Sequence, residues 1–157
     1  ENISMNVLQE IKNEHQQFRD LIAKIEKAKG AKKATLFKEL YAGVIGHHEA
    51  EEQVLFKDIK KMSDKKGQSI VLEMIEEHSL INYQFSLVQK TGIDNESWDA
   101  KFSVLKEILT HHLDEEEKEL FKQAKKVLTK KEITEKYQPF EDIQEKQEKK
   151  QTKKLNK

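Results

Sequence analysis

Displaced by 65 residues, the stretch from Phe37 to Lys57 overlays the stretch from Phe102 to Lys122 without a gap. Phe37 falls on Phe102, Leu40 on Leu105, Val44 on Leu109, His47 on His112, Glu51 on Glu116, and Leu55-Phe56-Lys57 on Leu120-Phe121-Lys122. The steps along each stretch are mostly three and four residues, the spacing of one face of an α-helix. A displacement of 63 sets Glu14-His15 on Glu77-His78 in the same way. The chain therefore reads as two related helical hairpins, and the repeat pairs histidines and carboxylates as well as apolar side chains.

The apolar pattern extends these stretches into four helices. Val7, Leu8, Ile11, His15, Phe18, Ile22 and Ile25 mark a first helix over about 5–29, with Gly30 at the expected C-cap. Leu36 to Met62 marks a second over about 32–62; Ile70 to Val88 marks a third that ends at Thr91-Gly92; Phe102 to Val127 marks a fourth that starts after Asn95 or Ser97. One proline and five glycines supply too few turn residues for a strand-rich fold. Short connections make consecutive helices antiparallel, so the expected fold is all-α, an up-down-up-down four-helix bundle over residues 5–128. Thr129-Lys130-Lys131-Glu132 has the form of a capping box and predicts a short fifth helix closed by Pro139. Beyond it, residues 141–157 hold only Ile143 and Leu155 as aliphatics, so 129–157 is expected to be a short helix and a charged, disordered or frayed tail.

Composition then narrows the chemistry. With no cysteine in 157 residues, disulfides, thiolate-bound metals and thiol catalysis are excluded. The 29 basic and 29 acidic side chains cancel, which argues against a nucleic-acid partner, since phosphate binding needs a basic surface. No apolar run approaches the roughly 20 residues that span a bilayer, and no basic and apolar leader is evident, so no membrane partner and a cytoplasmic location are expected. Glu1 to Ser4 precede Met5 and are expected to be residues added ahead of a native start. Oligomeric state has no signature in the pattern.

All six histidines fall in the four predicted helices. Each helix carries at least one in its apolar stripe, and the second and fourth add a glutamate one turn later. His15, His47, Glu51, His78, His112 and Glu116 are thereby expected to meet in one interior. A lone histidine in such a stripe is ordinarily a hydrogen-bonded core residue, and a Glu-rich run is ordinarily a solvated face. The repeat makes the joint pattern a different matter, because buried glutamates cost on the order of several kcal/mol each without a cation or a proton. Imidazole and carboxylate without sulfur suit iron, manganese or zinc.

At these residues the chain resembles the hemerythrin-like, or HHE cation-binding, family, over about residues 5–128. The resemblance lies in His15, His47-x-x-x-Glu51, His78 and His112-x-x-x-Glu116, and in the surrounding stretches at 47–56 and 111–121. It implies a dinuclear, oxo- or hydroxo-bridged iron centre, with His15 and His47 on one iron, His78 and His112 on the other, and Glu51 and Glu116 as bridging carboxylates. A second register would select His48 with Glu52, and Glu117 in place of Glu116. The gapless repeat and the spacing to Phe56 and Phe121 favour His47 with Glu51. Oxygen carriers of the family have His-x-x-x-His on the third helix, whereas Met74 and Asn82 stand four residues from His78. That departure implies an open position on the second iron unless Glu77 or Tyr83 fills it. The expected function is binding of oxygen, peroxide or nitric oxide as carrier, sensor or weak peroxidase- or catalase-like catalyst. The alternatives are iron storage, delivery or iron-centre repair, and a helical interaction module with adventitious zinc.

Overall fold

A computed structural model describes residues 5–157, and the expectation about residues 1–4 lies outside them. Among the described residues all regular structure is helical. Helix α1 (Val7–Lys27) opens with a capping box in which Asn6 accepts from the backbone of Gln9 and the Gln9 side chain answers. Gly30 adopts a left-handed φ of 58° at the turn into α2 (Gly30–Ala50), so it begins the second helix where a cap to the first was expected. Helix α2 runs on through a π segment (Glu51–Phe56) into α3 (Lys57–Met62). Asp64 caps α4 (Lys65–Lys90) through Gly67 N–H. Helix α5 (Trp98–Glu115) likewise continues through a second π segment (Glu116–Leu120) into α6 (Phe121–Val127).

Both π segments begin at the repeated glutamates. A π turn advances by an extra residue, which rotates the downstream turns and lets successive side chains share the interior. Leu55 and Phe56 are accordingly both buried, as are Leu120 and Phe121.

The C-terminal region departs from expectation. The Thr129–Glu132 capping box forms and starts α7 (Lys130–Glu135). Pro139 does not close it; Pro139 lies in the first turn of α8 (Tyr137–Leu155), where a missing N–H costs nothing. The tail expected to be disordered or a frayed helix is this helix, packed lengthwise on α2. A Cβ on Gly46 would stand 2.6 Å from the Gln144 carbonyl oxygen and 3.0 Å from the Glu148 backbone nitrogen, so the glycine is what permits the close approach. Phe140 is wholly buried and meets the His47 ring edge-on at 5.6 Å. The described residues thus form five long helical rods where four and a tail were expected.

The core falls into two apolar clusters. One gathers Ile11, Leu55, Phe56, Ile59, Met74, Leu120 and Phe140; the other gathers Phe18, Val44, Ile81, Phe85, Leu105 and Leu109. Between them every rod of the repeat inserts a histidine: His15 between Ile11 and Phe18, His47 and His48 after Val44, His78 between Met74 and Ile81, and His112 after Leu109. Burial of the flanking aliphatic and aromatic side chains, worth about 1.5–3 kcal/mol each, holds this polar layer in place. Among the described residues no helix is long and apolar enough to cross a membrane.

Candidate metal centre

His15, His47, His48, Glu51, His78, His112 and Glu116 are all essentially withdrawn from solvent. Their possible ligand atoms form two tetrads, His15, His47, Glu51 and Glu116 in one, His48, Glu51, His78 and His112 in the other, with all atoms of a tetrad within 4.8 Å of one another. Glu51 belongs to both, and its Oε2 lies 3.1 Å from His47 Nε2 while its Oε1 lies 3.2 Å from His78 Nε2. Glu116 Oε1 lies 3.0 Å from His15 Nε2.

The outer nitrogens explain which way the rings face. His15 Nδ1 is 2.7 Å from Glu117, His47 Nδ1 is 2.8 Å from Glu14, His78 Nδ1 is 2.7 Å from Glu52, and His112 Nδ1 is 2.6 Å from Glu77. An ionised carboxylate only accepts, so in each pair Nδ1 donates and Nε2 keeps its lone pair for the interior. This outer ring obeys the repeat: Glu52 and Glu117 stand 65 apart, and Glu14 and Glu77 stand 63 apart. Arg19 steadies Glu117 from outside at 3.3 Å.

The inner atoms have no such partners. The Nε2 atoms of His15, His47, His78 and His112, both nitrogens of His48, and both oxygens of Glu51 and of Glu116 are buried without a hydrogen bond. Imidazole lone pairs facing carboxylate oxygens at 3.0–3.2 Å are acceptors against acceptors. Such an array is tolerable only with cations or protons between the groups. Without a metal, burial and then the neighbouring Glu116 carboxylate push Glu51 well above the usual carboxylate range. Burial pushes Glu116 upward too, but its interactions with Glu51 and the His15 imidazole outweigh that and hold it low. Burial, then the neighbouring imidazoles of His78 and His112, push His48 well below its ordinary value, which keeps it neutral and able to donate a lone pair.

The structure brings together all six residues singled out in the sequence. Sequence reasoning set His48 against His47 as an alternative, whereas both are buried in the centre. His48 stacks on His78 with ring centroids 3.6 Å apart. It belongs to the second tetrad, whereas Glu77 backs His112 and Tyr83 is exposed. The supporting carboxylates Glu14, Glu52, Glu77 and Glu117 were also missed as a group, although their recurrence at the two displacements was a usable signal. His111 is exposed and lies 3.6 Å from Glu115.

A sequence profile described as the hemerythrin HHE cation-binding domain matches residues 6–124. The fold is similar to that in the crystal structure of a hemerythrin HHE cation-binding domain-containing protein from Mycobacterium kansasii, with a TM-score of 0.82, 20% identity, and coverage of 93% of this chain and 89% of that one. A comparison with curated proteins found no match.

Proposed function

This chain belongs to the hemerythrin HHE cation-binding domain family, and from that premise we propose that its buried cluster holds two iron ions and receives a small ligand such as oxygen, peroxide or nitric oxide. The observation that carries the reading is the set of buried, unpartnered acceptors that face one another. His15, His47 and Glu116 would hold one ion, His48, His78 and His112 the other, with Glu51 shared between them. Four-helix cores whose rods alternate in direction build such carboxylate and histidine sites from facing helices, and we read the repeat rods in that way.

Iron in this setting supplies redox chemistry and an affinity for diatomic and peroxidic ligands. The protein's own part is preorganisation. The Nδ1 bonds to Glu14, Glu52, Glu77 and Glu117 fix four tautomers and raise the donor strength of the inner nitrogens. The apolar clusters on either side exclude water and leave Glu51 and Glu116 to balance positive charge. Carrier, sensor and weak oxidoreductase remain one class of chemistry at this site, and location in the cytoplasm is part of the same proposal.

The test is metal analysis of protein purified without chelator, joined to an optical spectrum before and after oxygen. About two irons per chain and visible absorption that responds to oxygen or azide are expected. A colourless protein that retains zinc, or no metal at all, would overturn the reading in favour of a helical interaction module.

A further inference from the structure

Four of the five buried imidazoles have a carboxylate behind them, and His48 does not. Both of its nitrogens lack a partner. The polar side chain near it is the neutral amide of Asn82, whose Oδ1 is also buried and unpartnered. The ring rests flat on His78, with planes 10° apart, and meets His112 edge-on at 5.5 Å. Stacking fixes the plane of a ring but leaves its tautomer free. A carboxylate on the distal nitrogen both pins an imidazole and increases its basicity, and a neutral amide does neither as strongly. His48 is therefore the weakest and least oriented donor of the five. The repeat makes the same point, because position 48 corresponds to Leu113, so His48 has no counterpart on the other hairpin.

Resting on the dinuclear reading above, we infer that His48 is the exchangeable arm of the centre, giving up its place beside Glu51, His78 and His112 to a small exogenous anion or diatomic molecule, with Asn82 as the positioning residue that keeps its hold weak. The arrangement reconciles a filled tetrad with ligand uptake. A site whose three imidazoles were all carboxylate-backed would bind metal tightly and exclude other ligands. One neutral-backed donor leaves a single position open to competition.

The experiment measures iron per chain and azide affinity, read from visible absorption, in the full chain and in four variants whose helix content is checked by circular dichroism. Wild type is expected to hold two irons. His48→Ala should lose less iron than His78→Ala and bind azide at least about tenfold more tightly, with His48→Gln as a variant closer in size should the alanine protein fail to fold. Asn82→Asp, which supplies the missing carboxylate, should weaken azide binding by about 10- to 100-fold. His78→Ala should lose about one iron. In the metal-free protein, 15N shifts should show His48 exchanging between tautomers in wild type and settled in one in Asn82→Asp. Two irons in wild type but one in both His48 variants would overturn the exchangeable arm and leave the dinuclear reading standing. Unchanged azide affinity in the His48 and Asn82 variants would do the same. Fewer than two irons in wild type would overturn the dinuclear reading itself.

Discussion

His47 and His48 are neighbours in sequence, yet both rings are buried, 6.0 Å apart between centroids and inclined by 58°. Successive side chains on an α-helix diverge by about 100°, so a narrow stripe would admit only one of them. Both fit because the helix stands between two halves of the centre. His47 turns toward α1, where His15 lies 5.1 Å away between centroids and Glu14 accepts a hydrogen bond from its Nδ1. His48 turns toward α4 and α5, between His78 and His112. The adjacent pair thereby serves both tetrads from one turn of helix.

Glu51 and Glu52 make the next comparison. Glu51 is wholly buried and reaches both His47 and His78, whereas Glu52 is partly exposed and reaches only the outer nitrogen of His78. Replacing Glu51 by Gln should cost most of the bound iron and the bridged optical spectrum. Replacing Glu52 by Gln should keep the spectrum and lower metal affinity by about 10- to 100-fold, the usual effect of losing a supporting carboxylate. Iron titrations of the two proteins check this, and the reverse order would move the register by one residue.

Removal of His112 tests whether the fold depends on the centre. Its ring is buried between apolar clusters that are complete without it. His112→Ala should therefore lower bound iron to about one ion per chain while far-ultraviolet circular dichroism stays unchanged. Full iron content would exclude His112 as a ligand.

Much of this centre was legible because metal-site residues obey the same displacement as the core: His47 and Glu51 recur as His112 and Glu116 beside matching Phe and Leu positions. His48 was not, because it breaks the repeat, and a helical wheel assigns a doubled histidine only one inward member. The tail was misread for a related reason. Its own side chains are polar, and only Phe140, Ile143 and Leu155 contribute apolar contacts. The signal lay instead on its partner: Ala42, Gly43, Gly46 and Ala50 are small and mostly buried on α2, where the repeat puts Glu107, Ile108, His111 and Glu115 on α5. One hairpin presents a smooth face for another helix, and the other presents a face for water.

Where α8 crosses α1, Glu141 joins Glu10 and Glu14 in a group of three carboxylates within 4.8 Å of one another. Burial, with the nearby Glu10, raises Glu141 from an ordinary 4.5 to about 7. A carboxyl raised on folding binds its proton more tightly in the folded state. Its contribution is therefore full below pH 4.5 and lost as pH rises through about 7. Glu141→Gln should make stability less dependent on pH between these limits and raise Tm near pH 7.5. Partial exposure screens the effect, so a gain of about 1 kcal/mol, or roughly 2–4 °C, is expected. A thermal melt series from pH 4.5 to 8 with no convergence of the two proteins at the acid end would contradict this account.

Gly46 provides the decisive test of α8 as part of the folded unit. An added Cβ would meet the α8 backbone at 2.6 Å and 3.0 Å, and a backbone cannot yield as the end of a side chain can. Gly46→Ala should therefore push α8 outward and destabilise the full chain by about 1–3 kcal/mol, as overpacking does. Set against this, alanine favours a helix over glycine by roughly 1 kcal/mol, a gain that remains whether or not α8 is present. The same substitution in a chain ending at Lys136 should thus raise Tm, while the truncation itself lowers Tm by removing Phe140 from the core and uncovering the His47 edge. Opposite signs of the Gly46→Ala effect in the two chains would assign the contact to α8. A loss of stability in both would mean that the glycine is required by something other than that helix.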